Sequence, residues 1–88
     1  MGMPQHRNMA HVDHPGTILR EELAARKWTL DDFAAITGKS KWEWSRILNG
    51  KRGITPRTAH TLAAALGTSA EFWMRLWNDY RLWLIRDA

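Results

Sequence analysis

Between Lys39 and Arg57 the chain carries six basic residues, Lys39, Lys41, Arg46, Lys51, Arg52 and Arg57, against one acid, Glu43. That excess of five exceeds the +4 of the whole 88-residue chain, so the remainder is slightly acidic. A solvated helix face usually mixes both signs, and a one-signed cluster suits a polyanion. The chemistry on offer is recognition by charge and hydrogen bond. Lys41 and Arg46 can reach base edges or phosphates, and arginine pairs bidentately with guanine. Lys51, Arg52 and Arg57 are expected on phosphates, with Lys39 in the same cluster. Ser45 and Asn49 can contact bases or phosphates, and Asn49 can instead bond backbone in its own turn. Trp42 can stack on a sugar or a thymine methyl, or contact a protein. Thr29 and Ser40 are helix caps first, and a capped N-terminus can also turn an N–H toward phosphate.

These side chains fall in the segment TLDDFAAITGKSKWEWSRILNGKR, residues 29–52, which reads as helix, tight turn, second helix and basic exit. Thr29 and Asp32 form a variant of the capping box, and Leu30, Phe33 and Ala34 share one face. Gly38 ends that helix because glycine enters a left-handed turn at little cost. Ser40 caps the next helix, with Glu43 expected to complete a second capping box. Trp44, Ile47 and Leu48 make its inward stripe, which leaves Lys41, Trp42, Ser45, Arg46 and Asn49 outside. A short capped helix presenting basic and amide groups after a glycine turn is the helix-turn-helix device for entering a major groove.

Three more helices fit around this pair, and no run alternates as a strand would. Pro15 opens the first, whose apolar side is Ile18, Leu19, Leu23 and Trp28. Thr55 caps the fourth and Pro56 starts it. Ala59, Leu62, Ala63 and Leu66 give its stripe, and Gly67 stops it. Thr68 or Ser69 caps the fifth, which runs to about Arg86. Its aromatic and aliphatic residues cover more than one face, whereas a helix on a small core needs one stripe. Trp73, Trp77, Tyr80, Trp83 and Leu84 are therefore expected to serve an interface with a second chain as well as the core. The expected fold is all-α, a five-helix helix-turn-helix domain over 14–88, preceded by a mobile tail over 1–13.

Composition removes other classes. There is no cysteine, so disulfides and thiolate metal sites are excluded, which fits a cytoplasmic protein. No apolar run approaches the roughly 20 residues of a membrane helix, and the N-terminus has no signal-peptide apolar region. No phosphate-binding glycine loop, HExxH or cysteine nucleophile is present, so an enzyme is not expected. Asp31 and Asp32 start a helix, where its dipole favours them. His6, His11 and His14 lie close in sequence without carboxylate support for a metal. No metal and no cofactor are expected.

The order of motifs is more specific. His14-Pro15-Gly16 ahead of ILREE, the helix-turn-helix ending ILNGKRGITP, and ALGTSAEFWMRLWNDYRLW together resemble the HigA-type antitoxins of the Xre/Cro helix-turn-helix superfamily, over His14 to Trp83. The resemblance implies a five-helix fold and a homodimer on a double-stranded operator palindrome. It also implies autoregulation and a RelE-like ribonuclease toxin as protein partner. Acidic and aromatic groups away from the basic face, Glu21 and Glu22 on the first helix with a rim of the fifth, are the candidate toxin contacts. This chain departs from the pattern at Lys39, where a small apolar residue is usual. It departs again at Trp42, in place of a small polar residue, and at Trp44, in place of Ile or Val. Trp44 is still expected to point inward. The alternatives are a stand-alone Xre-type repressor and a protein-interaction module that no longer reads DNA.

Overall fold

Every helix starts on a side-chain acceptor, which satisfies an N–H that the helix itself leaves unpaired. The structure is a computed structural model that describes residues 11–86; the tail expected over 1–13 lies, for residues 1–10, outside the described residues. The five helices are α1 (Pro15–Arg26), α2 (Leu30–Thr37), α3 (Lys41–Leu48), α4 (Pro56–Leu66) and α5 (Ala70–Arg86). No strand occurs among the described residues. In α2, Thr29 Oγ1 accepts from the Asp32 N–H at 3.0 Å while Asp32 Oδ2 accepts from the Thr29 N–H at 2.8 Å, closing the capping box. Ser40 Oγ accepts from the Glu43 N–H at 3.1 Å, but the expected second box is only half formed. The Glu43 carboxylate faces Lys39 instead, 3.9 Å away, because a cation one turn back competes with a single backbone N–H. Of Thr68 and Ser69, the cap is Ser69, which accepts from the Phe72 N–H at 3.0 Å.

The core is built by all five helices and the loop before α4: Leu19 and Leu23, Phe33, Trp44 and Ile47, Ile54, Ala59, Leu62 and Leu66, and Trp73. Trp44 points inward as its position in the stripe requires. Its ring packs on Phe33 with centroids 4.7 Å apart, and Trp28 stacks on the other side of Phe33 at 6.1 Å. The indole N–H donates to Thr37 Oγ1 at 2.8 Å, and that hydroxyl donates to the Phe33 carbonyl at 2.8 Å. A larger residue than the usual aliphatic is thus accommodated with its one polar atom satisfied.

Trp73 is fully buried inside its own chain, its N–H donating to Thr68 Oγ1 at 2.7 Å. It therefore has no surface for a partner, which corrects its assignment to an interface. The next aromatics on α5 are half-buried under residues that precede α1. The His14 ring meets Trp77 and Tyr80 edge-on at 5.5 and 5.0 Å, and His11 meets Trp83 at 5.3 Å. Part of the aromatic excess is thereby covered within the monomer. The apolar groups of α5 left in water are elsewhere on it: Leu82 is 63% exposed and Ile85 75%, Leu84 is exposed beyond the end of the core, and Phe72 is exposed in the first turn.

α1 crosses the last turn of α3 at very short range, because Gly16 has no side chain. A Cβ there would collide with the backbone carbonyl of Ile47. Gly16→Ala should cost about 1–3 kcal/mol, the usual penalty of overpacking, since the obstacle is backbone and cannot rotate away. Urea unfolding of the variant beside the wild type measures this; an unchanged midpoint would show that α1 can slide on α3.

Candidate nucleic-acid interface

α3 is held by its buried side, and its outer side carries the polar groups. Ser40, Lys41, Trp42 and Asn49 are exposed, and Ser45 and Arg46 are half-buried. The residues singled out on α3 thus lie along one strip. Lys41 Nζ reaches across to Asp31 of α2 at 3.2 Å, a bridge between the two helices of the motif. Arg46 lies over the Trp42 ring, its guanidinium carbon 5.0 Å from the ring centroid. Asn49 Nδ2 donates to Ser45 Oγ at 3.3 Å.

Arg20 of α1 was not foreseen as a contributor. Its Nη2 donates to the Leu48 carbonyl at 3.2 Å and to Asn49 Oδ1 at 3.3 Å. It places a cation at the negative end of α3 and immobilises Asn49, which bonds side chains of its surroundings. No local pattern marks this role, since the partners are 28 and 29 residues apart.

Behind α3, Lys39, Arg52 and Arg57 converge on a cleft of about 170 Å³, lined also by Glu43, Ile47, Thr55 and Thr58. The N-terminus of α4 opens into it, where Thr55 Oγ1 accepts from the Thr58 N–H at 3.2 Å. Arg52, Arg57 and the positive end of an 11-residue helix, with Lys39 held opposite Glu43, make this a seat suited to a phosphate group. Lys51 is exposed beside it. The start of α2 is different: Thr29 is fully used in its capping box, and Asp31 and Asp32 already neutralise that end.

His14 is the second residue that sequence reasoning placed without its role. As the cap of α1, its Nδ1 accepts from the Gly16 N–H at 2.8 Å. The backbone of Arg52, in the loop that leaves α3, offers the ring a hydrogen bond that favours its protonated form. Burial holds its pKa below the ordinary 6.5, only partly offset by the Arg52 bond, so the ring stays neutral. Away from this region, Glu22 pairs with Arg26, which also donates to the Leu66 carbonyl at 3.0 Å, while Glu21 is exposed. Among the described residues no group of acidic and histidine side chains is arranged to hold a metal, and no helix is long and apolar enough to cross a membrane.

Five capped helices with a basic strip on the third define a helix-turn-helix domain, and a family model described as helix-turn-helix matches residues 19–73. The chain is 34% identical over 74 residues to the uncharacterized HTH-type transcriptional regulator YddM of Escherichia coli, spanning 84% of this chain and 79% of the relative. Its structure is similar to an addiction module antidote protein of the HigA family from Coxiella burnetii, with TM-score 0.78, 38% identity and coverage of 82% and 79% of the two chains. The antitoxin HigA of Pseudomonas aeruginosa, solved with the higBA promoter, matches with TM-score 0.78, 34% identity and the same coverage. The chain belongs to the HigA-type antitoxins of the Xre/Cro helix-turn-helix superfamily, a family of DNA-binding antitoxins.

The His14 geometry has a pH signature. Its folded-state pKa is depressed, so the unfolded chain takes up the proton first. The stability contributed by the neutral ring is complete above pH 6.5 and is lost as pH falls from 6.5 through the lower folded value. Urea unfolding from pH 7.5 to 5 should show this loss in the wild type. His14→Asn, which keeps a capping acceptor but does not titrate, should lack that component. Parallel pH profiles for the two proteins would remove His14 as the source.

Proposed function

We propose that this protein is the antitoxin of a type II toxin–antitoxin pair, binding the operator of its own operon as a homodimer, repressing that operon and neutralising a RelE-like ribonuclease. The observation that carries the DNA half is the outer side of α3 with its adjoining cleft. Lys41 and Arg46 are the base-reading candidates. Lys39, Arg52 and Arg57 surround a phosphate-sized cleft, with Lys51 beside it. The relative solved with promoter DNA supports the same use of the fold here. Leu82 and Ile85, three residues apart on the outward side of α5, supply apolar surface for a second copy, and the half-buried Trp77, Tyr80 and Trp83 and the exposed Leu84 are further candidates on the same helix. Glu21 and the rim of α5 remain the toxin-facing candidates, whereas Glu22 is already engaged with Arg26. The Escherichia coli relative is named a transcriptional regulator, and a stand-alone transcriptional regulator is the second reading.

Binding to the protein's own promoter should depend steeply on salt. Each neutralised phosphate contributes a slope of roughly −0.9 to log K against log salt, so two chains on a palindrome should give a slope steeper than about −4. Titration at three salt concentrations tests this, and a flat response or no binding overturns the operator reading. The toxin half is tested separately. The product of the adjacent reading frame should arrest growth when expressed alone, and should co-purify with this protein when the two are expressed together. A harmless neighbour, or a pair that separates on purification, leaves the stand-alone repressor.

A further inference from the structure

Trp42 is a large ring that no part of the fold explains. It is 64% exposed on the second position of α3, while Trp44 two residues on is fully buried. Its described contact is the Arg46 guanidinium, whose carbon lies over the ring 5.0 Å from its centroid. The i, i+4 spacing sets the two side chains one above the other on the outward side of the helix. Among the neighbouring cations, Lys39 is paired with Glu43 and Lys41 with Asp31, whereas Arg46 has no acidic partner among the described residues. Its described neighbour is instead the uncharged face of the Trp42 ring.

That difference has a chemical consequence. Stacking uses the flat side of a guanidinium and leaves its edge, with the N–H fork, free to hydrogen-bond. A carboxylate partner would have consumed the edge. An arginine already restrained by a ring also loses less freedom when it docks. The indole keeps most of its own surface in water, and burying it beside the arginine matches what the major groove offers next to a guanine edge: the 5-methyl group of a thymine.

We propose that Trp42 is the positioning residue of Arg46, and that the stacked pair reads one guanine with an adjoining thymine. Arg46 takes the guanine N7 and O6 through its free edge, and the Trp42 ring covers the thymine methyl. This rests on the reading of α3 as the helix that meets DNA. It makes the operator preference of this chain depend on a residue that gives the fold nothing.

The test uses the full chain and duplexes from its own promoter at one salt concentration. Trp42→Ala should weaken promoter binding about tenfold, leave binding to a random duplex unchanged, and leave the melting temperature unchanged. Trp42→Phe should restore much of the loss, because a smaller ring still stacks. In an Arg46→Ala background, Trp42→Ala should add less than it costs in the wild type, the remainder being its own contact with the thymine methyl. Replacing one guanine by 7-deazaguanine, or its neighbouring thymine by uracil, should weaken the wild type and not Trp42→Ala. Equal losses on promoter and random DNA, full additivity with Arg46→Ala, or wild-type affinity in Trp42→Ala each overturn the proposal. In that last case a retained wild-type preference for the promoter leaves the operator reading standing. A wild type that binds no promoter brings down both. Capture of an acidic protein through Trp42, with promoter binding unaffected, would assign the ring to a protein partner instead.

Discussion

The placement of α3 depends on a contact between two backbones. α1 meets the last turn of α3 where Gly16 faces the Ile47 carbonyl, closer than any side chain at position 16 allows. From that approach Arg20 reaches the end of α3 and Asn49. At the other end of the helix, Lys41 is tied to α2 through Asp31, and Trp44 is locked beneath by Phe33 and Thr37. An eight-residue helix has little stability of its own. Its direction is imposed by what holds it at both ends and from below, and only its outer strip is left to meet a partner.

The six tryptophans serve different purposes according to depth. Trp44 and Trp73 fill the core with their N–H groups bonded to threonine hydroxyls. Trp28, Trp77 and Trp83 close its margins, with Arg26 over Trp28 at 5.6 Å and Arg81 over Trp77 at 5.7 Å. A domain of this size has few interior positions. Broad rings, two of them with a cation over the face, let the margin repel water without a second layer of chain. Trp42 stands apart because it closes nothing.

Local features were legible in the sequence because their causes are local. The caps at Thr29, Ser40 and Thr55, the left-handed stop at Gly38, and the stripes of α2, α3 and α4 all follow from residues within one or two turns. The convergence of Lys39, Arg52 and Arg57 could be anticipated as charge, though not as a cleft. What was not legible depends on chain far away. Arg20 meets Asn49 only because α1 lies on α3, and His14 caps one helix while holding the loop after another. The aromatic count on α5 suggested an interface, but it could not reveal that residues ahead of α1 fold back over half of it. Nor could it show that the open apolar surface is Leu82 and Ile85.

That fold-back bears on where the cooperative unit ends. The segment shared with the family model, residues 19–73, contains the reading helix and most of the core. It omits His14, Gly16 and the later turns of α5, which form a seam of histidine against aromatic rings along one flank. Trimmed to that segment, the chain would lose the start of α1 and its bond to the loop leaving α3. The part that recognises and the part that stiffens it are therefore not separable modules. A graft of the helix-turn-helix onto another scaffold would carry its side chains but not their aim.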